Sequence, residues 1–96
     1  MSITGASNLG ADITTSGTQT YAGAVTLSGG DRTLTASTVN TQSTLVGGGN
    51  ALNITGAADI DGAFTGITNL SISATSNIGA NITTSGTQTY AGAVTL

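Results

Sequence analysis

Apolar residues in this chain come in short runs, each separated from the next apolar residue by one polar or small residue. Leu34-Thr35-Ala36, Leu52-Asn53-Ile54 and Leu70-Ser71-Ile72 alternate with a period of two, as do Ala24-Val25-Thr26-Leu27 and Ala80-Asn81-Ile82-Thr83. A strand with one buried face requires this alternation, because its successive side chains point to opposite sides of the sheet. Turn formers stand between the runs: Ser28-Gly29-Gly30-Asp31, Gly47-Gly48-Gly49-Asn50, Asp61-Gly62 and Ser85-Gly86. The chain has no Pro, so every strand position keeps an N–H for pairing with either neighbour. Leu34, Leu52 and Leu70 recur every 18 residues, which predicts an aliphatic column inside the fold.

A longer period overlies this one. Ser7 to Leu27 reads SNLGADITTSGTQTYAGAVTL and Ser76 to Leu96 reads SNIGANITTSGTQTYAGAVTL, identical at nineteen of twenty-one positions. Only Leu9/Ile78 and Asp12/Asn81 differ, and the same offset of 69 residues lays Ser2-Ile3 over Ser71-Ile72. Residues 1–96 therefore read as a single segment, one full unit (about 7–75) plus a partial second copy (76–96). This is how an excerpt from a tandem array would look, with Met1 an initiator in front.

Short strands at this spacing fit either a sandwich of hairpins or a coil whose turns stack in parallel. The coil is preferred because it lengthens without limit, whereas a sandwich closes on itself. Evenly spaced leucines would stack inside it, and Thr and Asn would form ladders with their counterparts one turn away. The expected fold is all-β, a parallel β-solenoid of the right-handed β-helix kind with about four to six rungs, on the order of 20 to 25 Å tall. Both an 18-residue rung (about four per unit) and a 23-residue rung (three) satisfy the spacing.

Composition narrows the possibilities. The charged residues are Asp12, Asp31, Asp59, Asp61 and Arg32, a net charge of −3, against twenty Thr, fifteen Gly, ten Ser and seven Asn. Low charge with many β-branched residues argues against disorder, and the scarcity of strong helix formers argues against helix. One Arg is too little to neutralise phosphates, so nucleic acid is not an expected partner, and neither is an anionic membrane surface. No run of eighteen apolar residues and no basic-then-apolar leader is present in the sequence. Without Cys there is no disulfide or thiolate site.

The segments Gly17 to Leu27 and Gly86 to Leu96, GTQTYAGAVTL in both copies, the first followed by Gly/Asp and Thr33-Leu34-Thr35, resemble the repeats of filamentous-haemagglutinin-like outer-membrane and secreted proteins of bacteria. The resemblance is strong over Thr15–Ala36 and Thr84–Leu96. It is weak over Ser37–Thr68, where only the Gly-rich alternating style agrees. It implies a right-handed parallel β-helix that forms the shaft of a very large adhesin exported through a partner pore. The amino-terminal secretion motif of that family is not in the sequence, so the match is to shaft alone and carries over no functional residue.

Candidate chemistry is sparse. A Ser without His, Cys, Lys or Glu nearby has no base to activate it, so no catalytic residue and no cofactor site is expected. Asp59 and Asp61 on a strand would project to one face about 7 Å apart, a distance that suits a glycosidase pair. Asp-x-Asp-Gly ahead of a turn is more simply turn chemistry. The Gly-rich stretches ending at Asp31 and Asn50 resemble calcium-binding β-roll nonapeptides, which makes Asp31, Asp59 and Asp61 the weak calcium candidates. The nine-residue period is missing, and so few carboxylates under-supply a Ca²⁺ site. The glycosylation sequons at Asn53, Asn69 and Asn81 fit chance in a chain this rich in Asn, Ser and Thr. The Thr-x-Thr pairs 18/20, 33/35 and 87/89 suit an ice-binding grid, although Asn53 and Ser71 beside Leu52 and Leu70 interrupt it. Tyr21, Tyr90 and Phe64 read as core or corner fillers.

The expected role is therefore a structural spacer or fibre segment of a large secreted adhesin at the bacterial outer membrane, not an enzyme. The alternative is a surface-binding module, for ice or for glycans of a host or neighbouring cell. Uncapped rungs would expose unpaired edges, so the expected partner is a further copy of the chain stacked end to end.

Overall fold

The alternating runs form strands, and each pairs in parallel with the run one turn later. A computed structural model describes residues 1–96 as fourteen strands without a helix. These are β1 (Ser2–Ile3), β2 (Ser7–Leu9), β3 (Ile13–Thr14), β4 (Gln19–Tyr21), β5 (Val25–Leu27), β6 (Arg32–Thr41) and β7 (Leu45–Val46). Then follow β8 (Leu52–Ile60), β9 (Phe64–Ile67), β10 (Leu70–Ile72), β11 (Ser76–Ile78), β12 (Ile82–Thr84), β13 (Gln88–Tyr90) and β14 (Val94–Thr95).

Three parallel ladders run side by side along a solenoid of about five turns. The first face stacks β1, β4, the ends of β6 and β8, β11 and β14. The second stacks β2, β5, β7, β9 and β12. The third stacks β3, the beginnings of β6 and β8, β10 and β13. The chain visits them in that order, and β6 and β8 run unbroken from third face to first.

The register decides the rung. Partners lie 18 residues apart at both ends, as in Ser2 with Thr20 and Leu70 with Gln88, and drift to 20 or 21 between, as in Val25 with Leu45 and Ile13 with Leu34. The 23-residue alternative is not used. Leu52 stacks on Leu70, but Leu34 faces Ile54 instead of Leu52. The cause lies between those two residues: the β6 ladder is irregular between Thr35 and Thr38, and the Gly47–Asn50 turn, with Gly48 (φ 61°) and Gly49 (φ 84°), bulges a further residue out of the rung.

A six-residue beat underlies the faces. Strands begin at Ser7, Ile13, Gln19 and Val25, and again at Leu52, Phe64, Leu70, Ser76, Ile82, Gln88 and Val94, with the first and third residues of most hexads turned inward. Because three hexads make a turn, the 69-residue unit is not a whole number of turns. Four turns carry Ser7 through Val25, Leu45 and Phe64 to Ile82, and Ser76 falls six residues earlier. The second copy is thus displaced by one face: residues 7–9 lie on the second face and 76–78 on the first.

The inward positions form one core of sixteen buried residues. Val25, Leu45 and Phe64 fill the second face, Val39, Ala58 and Ile60 the first, and Leu34, Ile54, Ile72, Leu52 and Leu70 the third. Each fully buried large aliphatic or aromatic side chain contributes about 1.5–3 kcal/mol. The aromatic fillers divide: Tyr21 and Phe64 are fully enclosed, and Tyr90 only packs against the core's edge.

Candidate functional site

The acids fall at two places, a corner ahead of the third face and the far end of β8. Asp12, Asp31 and Asn69 each stand just before a strand of the third face, and each ties its turn to the next. Asp12 Oδ1 accepts from the Thr33 N–H (3.0 Å), Asp31 Oδ1 from the Ala51 N–H (2.9 Å) and Asn69 Oδ1 from the Thr87 N–H (2.9 Å). This corner is an Asp/Asn ladder that satisfies backbone donors where the chain bends. Arg32 Nη1 lies 4.0 Å from Asp12 Oδ1, a long pair with an exposed carboxylate that adds little.

Asp59 and Asp61 sit together at the far end of β8, on the first face. Asp59 is flanked on its outer column by Asn40 and Asn77. Partial burial, then the charge of Asp61 and a hydrogen bond to it, raise the Asp59 carboxyl above the ordinary carboxylate range. Asp31 belongs to a different corner, so the structure brings together two of the three calcium candidates and not the third. No three acidic, His or Cys side chains converge anywhere in the chain. The sequon residues Asn53, Asn69 and Asn81 are all exposed.

A buried polar motif escaped the sequence reading. Gln19 is fully enclosed: its amide donates to the carbonyls of Ile13 (3.1 Å) and Thr35 (3.0 Å), and its Oε1 accepts from the Tyr21 hydroxyl (2.7 Å). The second copy repeats this, Gln88 donating to Ile82 O (3.1 Å) and accepting from Tyr90 (2.8 Å). Thr15 to Gly17 O and Thr84 to Gly86 O match as well (3.0 and 3.1 Å). The same bonds form on two different faces, so they are local properties of the peptide. A Gln two residues before a Tyr, at the first and third places of a hexad, was the available signal.

The outer side of the third face is a neutral hydroxyl grid. Thr14, Thr35 and Thr55 stack directly, and Ser73 continues the column beside Ile72. Thr33, Asn53, Ser71 and Thr89 make the neighbouring column. Because Leu34 pairs with Ile54, the Thr33/Thr35 pair lies beside Asn53/Thr55. The grid is therefore more continuous than the spacing of the leucines suggests.

No family model, no curated protein and no solved structure matches this sequence. The geometry itself establishes an all-β, three-laddered parallel solenoid whose surface is mostly hydroxyls and amides, with four acids of which only Asp59 and Asp61 lie together.

Proposed function

We propose that this chain is a length of rigid shaft, a spacer or fibre segment of a large secreted adhesin at the bacterial surface, with no catalysis. One observation carries the reading: the repeated peptide makes the same internal hydrogen bonds on whichever face it lands. A unit with that property can be added again and again without regard to phase, as a shaft demands. The resemblance of Gly17–Leu27 and Gly86–Leu96 to filamentous-haemagglutinin-like repeats supports the extracellular placement. Each added unit of three and two-thirds turns should lengthen the shaft by about 18 Å at 4.8 Å per rung. Small-angle scattering on chains with one, two and four units tests this: length should grow linearly at constant cross-section, and a globule growing in all directions refutes the reading.

The hydroxyl grid favours a second reading, a binding face for ice or for surface glycans. Its column of stacked Thr14, Thr35 and Thr55 carries no charge. Thermal hysteresis reports on the first ligand and a glycan array on the second, with Thr35→Lys expected to abolish either signal; no signal in both assays removes this reading.

A further inference from the structure

Among the four aspartates and seven asparagines of the chain, only Asp61 is followed by glycine. The other aspartates precede Ile13, Arg32 and Ile60, and every asparagine precedes a residue with a Cβ. Where the following residue has no Cβ, its backbone nitrogen can approach the aspartyl carboxyl unhindered. Asp61-Gly62 lies in the turn from β8 to β9, between Gln42-Ser43 in the turn below and Gly79-Ala80 in the turn above, so the chain itself supplies both of its neighbours.

Packing dictates this dipeptide. A Cβ on Gly62 would collide with the Ser43 carbonyl beneath it, so the position accepts glycine alone. Above, a Cβ on Gly79 would lie 3.5 Å from Asp61 Oδ1, so the carboxyl rests against the next turn. The Asp61 N–H donates to Thr41 O (2.9 Å) and the Gly79 N–H to Ile60 O (2.7 Å), which pins the chain on either side. Between these bonds the Gly62 N–H donates to no group in the chain. The carboxylates of Asp12 and Asp31 each hold a backbone N–H, whereas that of the exposed Asp61 holds none.

We infer that Asp61-Gly62 is a site of spontaneous backbone modification, at which Asp61 converts to isoaspartate through a succinimide. The Gly62 nitrogen forms a bond to Asp61 Cγ and gives up its proton, and one oxygen of the protonated carboxyl leaves as water, closing a five-membered imide. Water then adds back. Opening at Cγ restores aspartate, and opening at the Asp61 main-chain carbonyl leaves the chain running through Cβ and Cγ. One water is lost and one gained, so the mass is unchanged. The Asp59 carboxyl, hydrogen-bonded to Asp61 and raised above the ordinary carboxylate range by burial and by the Asp61 charge, is the adjacent proton source for the departing oxygen. Residues 42–44 below and 79–81 above bring no other titratable group to the site. The product lengthens the main chain by one carbon, about 1.5 Å, where Gly62 has no room to move against Ser43, so conversion loosens this rung.

Ageing the folded chain in mildly acidic buffer made with heavy-oxygen water tests this, followed by digestion with an endoprotease that cuts ahead of aspartate but not ahead of isoaspartate. Cleavage ahead of Asp61 should fall progressively while cleavage ahead of Asp12, Asp31 and Asp59 is retained, and mass spectrometry should find heavy oxygen in the peptide spanning 61–62. Asp61→Glu, which alters only an exposed side chain, should take up none there, because its longer side chain would have to close a six-membered ring. Undiminished cleavage ahead of Asp61 overturns the inference, as does equal loss ahead of the other three aspartates or equal heavy-oxygen uptake by the Glu variant. The converted chain should also melt below the fresh one, and an unchanged midpoint overturns the loosening of the rung.

Discussion

Gln19 and Gln88 occupy the same place in the same peptide, yet one is sealed in the core and the other lies open. Gln19→Ala would leave the enclosed Tyr21 hydroxyl without its acceptor and remove the amide donor to the Ile13 and Thr35 carbonyls, of which Thr35 O keeps the Thr15 N–H, and an unsatisfied buried group costs on the order of 1–3 kcal/mol. Gln88→Ala loses bonds that water replaces, so its unfolding midpoint in urea should stay close to that of the parent, while the Gln19 variant's falls. Tyr21 gives a second residue-scale test. Burial pushes its phenol up to about 12 from 10.0. The folded state thus holds the proton through a range where the unfolded chain releases it, and the associated stability is complete below pH 10 and lost as pH rises from 10 to 12. Thermal melts across that window should fall on the order of 2–3 kcal/mol in stability, and Tyr21→Phe should remove most of the decline.

At the scale of elements, the strands and turns were legible because period-two alternation and Gly/Asn/Asp clusters have direct backbone causes. β10 coincides with Leu70-Ser71-Ile72, and all four turn clusters fall at bends or turns. The stacking partner of Leu34 was not legible: an irregularity at Thr35–Thr38 and the Gly47–Asn50 turn swell the rung that follows it, and no alternation records how many residues a loop extrudes. The hexad was hidden for another reason. Its inward places hold Ser7, Gln19 and Ser76 as well as aliphatic residues, so hydropathy alone blurs the period. Gly56 shows how tightly neighbouring rungs approach. It sits at φ 132° where β8 passes from third face to first, and a Cβ there would meet the carbonyl oxygen of Ala36 in the turn below. Gly56→Ala combines a disfavoured φ, worth about 1–3 kcal/mol, with a backbone collision. Circular dichroism melts should show a drop in Tm larger than for Gly17→Ala, where nothing lies within 4 Å.

The whole molecule, 29 × 29 × 20 Å, is held together by contacts between successive turns, and every strand pairing in it is parallel. Its surface offers little to read: the function-bearing residue types are nearly absent, so the candidate site was legible only as separate acids and hydroxyls. The hydroxyl columns emerged only once the register was known. The most direct test of the architecture is the pattern of inter-strand backbone contacts in a ¹⁵N-edited NOESY spectrum. Stacked parallel turns predict cross-peaks linking the strand at 52–54 with that at 70–72, and 70–72 with 88–90, at a constant offset of 18 with both sequence numbers rising together. Cross-peaks in which one number rises as the other falls, centred on the Gly47–Asn50 or Asp61-Gly62 turns, would mean hairpins and would contradict the solenoid.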